Sequence, residues 1–239
     1  MNQFKTKLKS LKHKENSVIT AYGETNLPTE FGLFRVIVFQ ENETGKEHLA
    51  IIAGDIENKE DILIRVHSEC LTGEVLHSRK CDCREQLEAG LSRIAEEGEG
   101  MVIYLRQEGR GIGLGNKIRA YALQESGHDT VDSNRMLGFG DDLRTYEVAV
   151  DILRHLNVQS VRLMTNNPSK IKALQEEGVV VNGREEIFCE PNPHSINYFR
   201  SKQARMGHMF DDGELRQIES SLSNVSTLSK PNGTHPHNK

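Results

Sequence analysis

The chain has 239 residues, four cysteines, a formal net charge of −5 and a sequence pI near 6.1. A chain of this length buries a core that folds without disulfides, and four cysteines do not make the framework of a small secreted domain. The acidic balance argues against a general nucleic-acid binder, and the sequence has no apolar run near the about 20 residues that span a bilayer. We therefore expect a cytoplasmic protein that binds neither nucleic acid nor membrane.

The first third of the chain is rich in strand patterns. Residues 1–24 are polar, and we expect them to form a flexible extension. Residues 32–39, 49–53 and 62–66 are short runs of β-branched and aromatic residues, which are typical of strands. Turn-forming residues separate these runs, so the sequence predicts strands with short connections.

The remainder alternates helix and strand patterns. Helical periodicity is found at 84–97, 117–126, 144–156 and 168–177, and short apolar strand patterns are found at 101–105, 161–164 and 179–181. This alternation predicts an α/β fold: a layered mixed sheet with a β-rich N-terminal part and packed helices, forming a single catalytic domain over residues 25–210. A further helix is expected at 194–209. The composition after Ser220 predicts that residues 211–239 are a disordered tail.

Three cysteines, Cys70, Cys81 and Cys83, lie within one short segment. Residues two apart on an extended segment point to the same face, so the sulfurs of Cys81 and Cys83 can reach one ion. Structural zinc sites use four protein ligands, whereas catalytic sites use three and leave the fourth position to water. Three nearby side chains are candidates for a fourth ligand: His67, His77 and Asp82. The pattern leaves open a catalytic site, a structural site and three buried thiols without metal.

An open site of three thiolates has a specific electrostatic requirement. Three thiolates on a divalent ion leave a net charge of about −1, which weakens its Lewis acidity. A nearby cation or base must then help the zinc-bound water to ionise. Arg65, His67 and Arg79 lie in the same stretch and are the candidates for this role.

Two segments between a predicted strand and a predicted helix are candidates for phosphate binding. The first is the glycine-rich run 107–117, and the second is 165–170. Glycines let backbone N–H groups approach a ligand, and a helix N-terminus favours anions. Leu114 and Asn116 stand where the standard fingerprints need glycine, so a flexible loop and an ordinary helix cap are the alternatives. A third candidate, residues 141–144, is also typical of a helix cap.

Taken together, these segments resemble the GTP cyclohydrolase II family. The matching motifs stand in the family's order: Arg65-Val-His-Ser-Glu-Cys70, Cys81-Asp-Cys83, Arg106-Gln-Glu-Gly-Arg-Gly-Ile-Gly-Leu114, Asn116-Lys-Ile-Arg-Ala-Tyr-Ala-Leu-Gln124, Asp129-Thr130, Leu137-Gly-Phe139 and Leu163-Met-Thr-Asn-Asn-Pro168. The resemblance covers residues 25 to 210. It departs from the commonest pattern at Arg84-Glu85, where a small residue such as glycine is expected.

The resemblance implies a reaction and its cofactors. GTP would be hydrolysed with opening of the guanine imidazole ring, release of formate and pyrophosphate, and formation of a diaminopyrimidine ribosylamine phosphate, as the first step of riboflavin biosynthesis. One Zn²⁺ per subunit would be held by Cys70, Cys81 and Cys83, with Mg²⁺ on the triphosphate. The resemblance also implies a homodimer. The alternatives are a family variant that stops at the formamidopyrimidine nucleotide and a non-catalytic nucleotide-binding regulator with a structural zinc.

The resemblance further implies the site residues. The matches to the family's nucleotide contacts are Arg65, Val66, His67, Ser68, Glu69, Gln86, Glu108, Gly109, Arg110, Thr130, Thr165 and Lys170. Asp142 and Arg144 match a proposed proton acceptor and nucleophile, and Tyr121 matches a residue near the attacked carbon. Arginine is effectively always protonated, so a clamp on the transferring phosphoryl group is the alternative role for Arg144. We also hypothesise that Glu108 selects guanine by accepting from its N1–H and exocyclic amine.

Overall fold

The computed structural model describes residues 17–126, 130–140, 142–187 and 189. The strands in these residues are β1 (Ile19–Thr29), β2 (Gly32–Glu41), β3 (Glu47–Ala53), β4 (Ile62–Ser68), β5 (Gly100–Leu105), β6 (Val161–Met164) and β7 (Val181–Glu185). The helices are α1 (Leu71–Glu74), α2 (Cys83–Glu97), α3 (Gly113–Glu125), α4 (Thr130–Met136), α5 (Glu147–His155) and α6 (Pro168–Glu176), with a 3₁₀ turn at Glu108–Gly111.

The strands of the described residues form one seven-stranded mixed sheet in the order β1-β2-β3-β5-β4-β6-β7. The first three strands are antiparallel neighbours, and β3 is also antiparallel to β5. In contrast, β4 is parallel to both β5 and β6, and β6 is parallel to β7. This arrangement confirms the predicted α/β class with a β-rich N-terminal part.

Helices cover both faces of the sheet. Successive strand residues point to opposite faces, so Val102 packs on one side while Ile103 packs on the other. The Val102 side is covered by α2, whose Ile94 is fully buried there. The Ile103 side is covered by α5 and α6, which contribute Ile152 and Leu174 among others. None of the helices in the described residues is long and apolar enough to cross a bilayer.

The parallel strands β4, β5 and β6 bring three predicted motifs to one edge of the sheet. Because they run in the same direction, their carboxyl ends at Ser68, Leu105 and Met164 lie side by side. The cysteine segment follows the first end, the glycine-rich run follows the second, and residues 165–170 follow the third. In open α/β sheets, ligands bind at this edge.

The predicted flexible extension over residues 1–24 is wrong for residues 19–24, which lie in β1. This strand pairs with β2 from Ile19 opposite Glu41 to Thr29 opposite Gly32. It stands at the edge of the described sheet, where one face is exposed, so polar residues are tolerated and the apolar alternation is weak. Residues 1–16, the predicted helix at 194–209 and the predicted tail at 211–239 lie outside the described residues.

Three other boundaries differ from the sequence prediction. Helix α3 begins at Gly113 rather than Lys117, despite the low helix propensity of its glycines. Helix α5 begins at Glu147 rather than Arg144, although Asp142 accepts from the backbone N–H of Arg144 as a capping side chain would. Strand β7 covers 181–185 rather than 179–181. Residues 182–185 are glycine or polar, so the apolar pattern did not predict that the strand extends over them.

Candidate active site

The three cysteines form a compact group of sulfurs at the carboxyl edge of the sheet. We call Cys70, Cys81 and Cys83 the cysteine cluster; their Sγ atoms all lie within 4.8 Å of one another. The Sγ atoms of Cys70 and Cys81 are 3.6 Å apart. A tetrahedral zinc ion with Zn–S bonds of about 2.3 Å places its sulfurs about 3.8 Å apart. The Cys70–Cys81 separation is close to this value, so the sulfur positions are compatible with one zinc ion.

Gly73 lies directly against the cysteine cluster. A β-carbon at Gly73 would stand 3.1 Å from Cys81 Sγ and 3.2 Å from Cys70 Sγ. A β-carbon at this position would therefore be crowded, and the sulfurs or the turn of α1 would have to move by a few tenths of an ångström. This close approach explains the glycine between Thr72 and Glu74.

The three alternative fourth ligands are engaged elsewhere. His67 Nε2 lies 2.8 Å from Glu74 Oε1, and His77 Nδ1 lies 2.8 Å from Arg84 Nη1. Asp82 Oδ2 accepts a hydrogen bond from Gln86 Nε2 at 2.5 Å. Among the described residues, the group with metal-ligand spacing consists of the three cysteines alone. The geometry thus favours a three-ligand site over a closed four-ligand one.

The three thiols of the cysteine cluster differ in pKa. Hydrogen bonds from the Cys81 and Cys83 thiols, together with the charge of Lys117, hold the pKa of Cys70 well below its ordinary value. The hydrogen bond to Cys70 raises the pKa of Cys81 to about 11, and the pKa of Cys83 is raised for the same reason. A bound cation is therefore needed to hold all three groups as thiolates.

The cation beside the sulfurs is Lys117, which the sequence analysis did not nominate. Its Nζ atom lies 3.0 Å from Cys70 Sγ and 2.7 Å from Glu108 Oε1. Two of the earlier candidates do not supply this charge. Arg65 donates to Gln86 instead. Burial lowers the pKa of His67 to about 4, so its imidazole is neutral. The available sequence signal was the four-residue spacing between Lys117 and Tyr121, which places both on one face of α3.

Glu74 connects the cysteine cluster to strands β4 and β5. Its Oε1 atom accepts from the backbone N–H of Cys70 at 3.0 Å and from His67 Nε2 at 2.8 Å. Its Oε2 atom accepts from the Tyr104 hydroxyl at 2.5 Å, and the ring of Tyr104 stacks on His67. The carboxylate therefore fixes Cys70 relative to the sheet. Sequence reasoning also missed this residue.

A pocket rich in cationic side chains adjoins the cysteine cluster, and Cys83 lines it. We call it the cationic pocket, after the four basic residues in its wall: Arg65, Arg110, Arg144 and Lys170. Arg65 and Lys170 are only 4% and 8% exposed. The Nζ atom of Lys170 donates to the carbonyl oxygen of Val66 at 2.6 Å, which fixes the ammonium between β4 and α6. Such a pocket is complementary to a polyanion.

The wall of the cationic pocket contains buried polar atoms without a partner among the described residues. They are Arg65 Nε, Ser68 Oγ and Arg110 Nη1. Buried polar groups are normally hydrogen-bonded, and the exceptions are found where there is strain, catalysis or a bound water or ion, so these atoms are consistent with a binding site at this pocket. Arg110 also has a φ of 60°, a left-handed conformation that is costly outside glycine and is concentrated at functional sites.

Residues 20–186 match the family model described as GTP cyclohydrolase II. The chain belongs to this family. It is 51% identical over 194 residues to GTP cyclohydrolase-2 of Pseudomonas syringae pv. tomato, which covers 81% of this chain and 95% of that protein.

Two longer relatives are equally similar to this member of the GTP cyclohydrolase II family. Riboflavin biosynthesis protein VVA0006 of Vibrio vulnificus is 51% identical over 199 residues, or 83% of this chain and 54% of that protein. Riboflavin biosynthesis protein RibBA of Bacillus velezensis is 51% identical over 187 residues, or 78% of this chain and 47% of that protein. The chain thus spans about half the length of these two relatives.

The GTP cyclohydrolase II motifs converge on the cationic pocket to a large extent. Eight residues matched to nucleotide contacts line it: Arg65, Val66, His67, Ser68, Gln86, Arg110, Thr165 and Lys170. Asn166 and Asn167, from the phosphate candidate at 165–170, also line it, and so does Ile187, which the sequence analysis had not assigned to the site. Glu69, Glu108 and Gly109 lie outside its wall, and the side chain of Thr130 lies outside the described residues.

Glu108 is occupied by protein donors. Its Oε1 atom accepts from Lys117 at 2.7 Å and from the N–H of Gly109 at 2.9 Å, while its Oε2 atom accepts from the N–H of Leu71 at 2.7 Å. These contacts direct the carboxylate toward the loop that carries Cys70. The hypothesis that Glu108 selects guanine therefore has no support from the structure.

The residues that the sequence analysis predicted to be catalytic lie in two positions. Arg144 lines the cationic pocket and binds Asp142 through Nε to Oδ1 at 2.8 Å and Nη2 to Oδ2 at 2.5 Å. Tyr121 lies beside the cysteine cluster, with its ring centroid 5.8 Å from Lys117 Nζ. Burial raises the pKa of Tyr121 to about 12, so its hydroxyl is a hydrogen-bond donor at neutral pH.

The departure from the family pattern at Arg84-Glu85 is accommodated in the first turn of α2. Cys83 is the first residue of this helix, so Arg84 and Glu85 follow it on the helical backbone. Arg84 contacts His77 at 2.8 Å and lies 3.6 Å from Glu88, one helical turn away. The substitution therefore leaves the cysteine cluster and Gln86 in place.

Proposed function

We propose that this protein hydrolyses GTP, opening the imidazole ring of guanine and releasing formate and pyrophosphate, as the first step of riboflavin biosynthesis. One observation carries the proposal. The cysteine cluster shares Cys83 with a pocket whose wall has four basic side chains and three buried polar atoms that find no partner within the described part of the chain. A metal-activated hydrolytic centre would thus stand next to a polyanion site, as ring opening of a nucleoside triphosphate requires.

Zinc is the metal that suits this ligand set. Three thiolates with tetrahedral spacing select zinc over magnesium or calcium, which prefer oxygen ligands. The Cys70, Cys81 and Cys83 sulfurs would hold one ion per subunit. When bound there, zinc supplies Lewis-acid activation of water near neutral pH. Magnesium would instead accompany the triphosphate, whose oxygens match its preference.

The basic residues of the cationic pocket would bind the triphosphate. Arg65, Arg110 and Lys170 approach from β4, the 3₁₀ turn and α6, so they can neutralise different phosphate oxygens. The N-terminus of α6 adds a partial positive charge, and Asn167 already caps it through Ser169 N–H at 3.0 Å. The fixed guanidinium and ammonium groups would position guanine C8 toward the cysteine cluster.

Tyr121 would donate a hydrogen bond to the oxygen that becomes negative when C8 is attacked. Its phenol is protonated at neutral pH, and its position beside the cysteine cluster suits this role. Fixed donors aimed at developing charge typically contribute about 3 kcal/mol to transition-state stabilisation. The same hydroxyl can pass a proton to the departing ring nitrogen.

Arg144 would act on the α-phosphate as a clamp. Asp142 accepts from two guanidinium nitrogens, and this pairing holds the Arg144 guanidinium in place at the wall of the cationic pocket. A protonated guanidinium stabilises charge on a transferring phosphoryl group but has no available lone pair for attack. A covalent route through Arg144 would require Asp142 to remove a proton first.

The function is tested by incubating the purified protein with GTP and Mg²⁺ and measuring formate and pyrophosphate together. We expect both products, their loss on treatment with a strong chelator, and their recovery when Zn²⁺ is restored. A Cys81→Ser variant should lose bound zinc and both products. Formate release by metal-free protein would contradict the zinc mechanism. Accumulation of a formamide would indicate the truncated reaction, and GTP binding without either product would indicate a regulator.

Family membership also supports two further proposals. We propose that the protein is cytoplasmic and that it forms a homodimer. Size-exclusion chromatography with light scattering tests the dimer: a mass of about twice the 27.0 kDa chain is expected. A monomer that retains full activity would contradict it.

A further inference from the structure

Lys117 contacts the cysteine cluster directly, and its position is fixed from several sides. We propose that Lys117, held by Glu108, is a positioning residue that donates a hydrogen bond to the Cys70 thiolate and thereby sets the electronic character of the bound metal. This inference rests on the proposed function. It assigns the cationic role that the thiolate ligand set requires to a residue outside the cysteine segment.

The first argument is geometry. The Lys117 ammonium lies between two acceptors, 3.0 Å from Cys70 Sγ and 2.7 Å from Glu108 Oε1. The Lys117 and Glu108 side chains are 12% and 7% exposed. A lysine that makes only a surface ion pair is mobile and screened, whereas this one is held in the interior with its charge directed at a sulfur.

The second argument is the way in which Glu108 is anchored. The backbone N–H groups of Leu71 and Gly109 both donate to its carboxylate, from the start of α1 and from the 3₁₀ turn. Leu71 follows Cys70 directly, so the carboxylate that holds Lys117 also holds the loop that carries the ligand. Gly109 adopts a φ of 63°, and a β-carbon there would stand 3.0 Å from Lys117 Cβ. The absence of a side chain at Gly109 therefore leaves room for Lys117 beside the 3₁₀ turn.

The third argument is electronic. Three thiolates overcompensate a divalent ion and weaken its Lewis acidity. A hydrogen bond from an ammonium to one thiolate withdraws electron density from the sulfur and partly restores that acidity, as partners of metal ligands generally do. Glu108 does not cancel the effect, because it shares its charge with two backbone N–H groups and, of this ion pair, the ammonium is the member that contacts the sulfur.

Lys80 provides a matched control on the same aromatic ring. Its Nζ atom lies 4.9 Å from the Tyr121 ring centroid, closer than the 5.8 Å of Lys117. Its ion-pair partner is Glu125, whose side chain is 72% exposed. Lys80 thus brings a similar charge near Tyr121 without the hydrogen bond to Cys70 and the buried pair with Glu108 that define Lys117.

The test uses protein in which Co²⁺ replaces zinc, because Co²⁺–thiolate sites have a sulfur-to-metal charge-transfer band. In Lys117→Met the sulfur loses its donor, so the band should move to lower energy while the visible bands of a tetrahedral site persist. Lys117→Arg should keep the band near its original position, and Lys80→Met should leave it unchanged. A Lys117→Met spectrum that coincides with the wild-type spectrum would overturn the inference.

Kinetics of the zinc protein provide the second readout. For Lys117→Met we expect kcat for formate release to fall at least about tenfold with KM for GTP changed less than about threefold, and Lys117→Arg to recover part of the loss. An equal loss in Lys117→Arg and Lys117→Met would contradict a charge-based role. If Lys117→Met does not fold, Lys117→Gln, whose side chain is polar but uncharged, is measured instead and should shift the Co²⁺ band in the same direction.

The spectral readout separates this inference from the proposed function. If the Lys117→Met band shifts but the wild-type zinc protein forms no formate, the reaction is refuted while the contact between Lys117 and Cys70 is supported. If the Lys117→Met band does not shift and the wild-type protein releases formate and pyrophosphate, the contact is refuted while the reaction is supported.

Discussion

Gly90 of α2 lies against Arg65 of β4, and a β-carbon at Gly90 would stand 2.6 Å from Arg65 Cδ. Arg65 has little freedom to move, since it is 4% exposed and its Nη2 atom donates to Gln86 Oε1 at 2.7 Å. The same helix begins at Cys83 and supplies Gln86. The close contact at Gly90 thus couples the metal-ligand helix to a basic residue of the cationic pocket.

Replacing Gly90 by alanine should displace Arg65 from the cationic pocket. We expect KM for GTP to rise about tenfold, corresponding to about 1.4 kcal/mol of lost binding, while zinc content stays unchanged. Gly115→Ala is the matched control, because it is also a helical glycine and a β-carbon there meets nothing within 4 Å. Steady-state kinetics of the two variants give the comparison. Equal KM values would show that Arg65 does not contact the nucleotide.

Replacing Gly73 by alanine should weaken metal binding. Its β-carbon would stand 3.1 Å and 3.2 Å from two sulfurs of the cysteine cluster, so the sulfurs must separate or the turn must shift. We expect zinc affinity to fall about tenfold or more in a competition titration with a chromophoric chelator. Gly115→Ala again serves as the control, with wild-type affinity. Undiminished affinity of the Gly73→Ala protein would rule out a tight fit around the ion.

Replacing Arg144 by lysine should separate binding from phosphoryl transfer. Lysine keeps the charge but loses the paired contact with Asp142, so pyrophosphate release should slow about a hundredfold while KM for GTP changes little. Rapid acid or base quenching of wild-type protein with α-labelled GTP distinguishes the two roles of Arg144. We expect no label on the protein for a clamp. Label retained by wild type and absent from Arg144→Lys would establish the covalent route.

Acid should destabilise the protein through His67. Burial lowers its pKa from 6.5 to about 4, so between these pH values the unfolded chain binds more protons than the folded one. The stability that His67 contributes is therefore complete above pH 6.5 and is lost as the pH falls toward 4. From pH 6.5 to 5.5 this loss is about 1 kcal/mol.

Urea unfolding at the two pH values measures the His67 effect. The His67→Gln variant shares every other titrating group, so its stability should fall less steeply than that of wild type. Parallel pH dependence of the two proteins would show that His67 is not buried in the neutral form. Circular dichroism before each titration verifies that the variant is folded.

Replacing Glu74 by glutamine should destabilise the loop that carries Cys70. Glu74 accepts from three donors through its charged carboxylate. Glutamine keeps an oxygen for the Cys70 N–H and His67, but it loses the negative charge, and the Tyr104 hydroxyl must turn to accept from the amide nitrogen. Hydrogen bonds to a charged group are stronger than neutral ones, so we expect the free energy of unfolding to fall by about 1–2 kcal/mol. Tyr104→Phe removes a single donor and should cost less. A Glu74→Gln protein as stable as wild type would contradict this network.

The strongly patterned elements were predictable from the sequence, whereas the weakly patterned ones were not. Strand β6 over Val161–Met164 and helix α2, with Leu87 and Ile94 on one face, agree with the apolar periodicity. Residues 19–24 of strand β1 were not predicted, because an edge strand is partly exposed and therefore contains few apolar residues. The start of α5 also escaped, because an aspartate two residues before a backbone donor is typical of a helix cap, so the sequence pattern placed the first turn too early.

The sequence by itself determined the chemistry: three thiols within one segment, basic residues in ordered motifs and a family resemblance that the comparisons confirmed. Spacing and residue type are local properties, so a linear reading detects them. Only the tertiary structure decided which charge belongs to which site. Lys117 stands 47 residues from Cys70 yet donates to its sulfur, and parallel strand ends bring the two segments together. Contacts of this kind depend on sheet order, which no local pattern encodes.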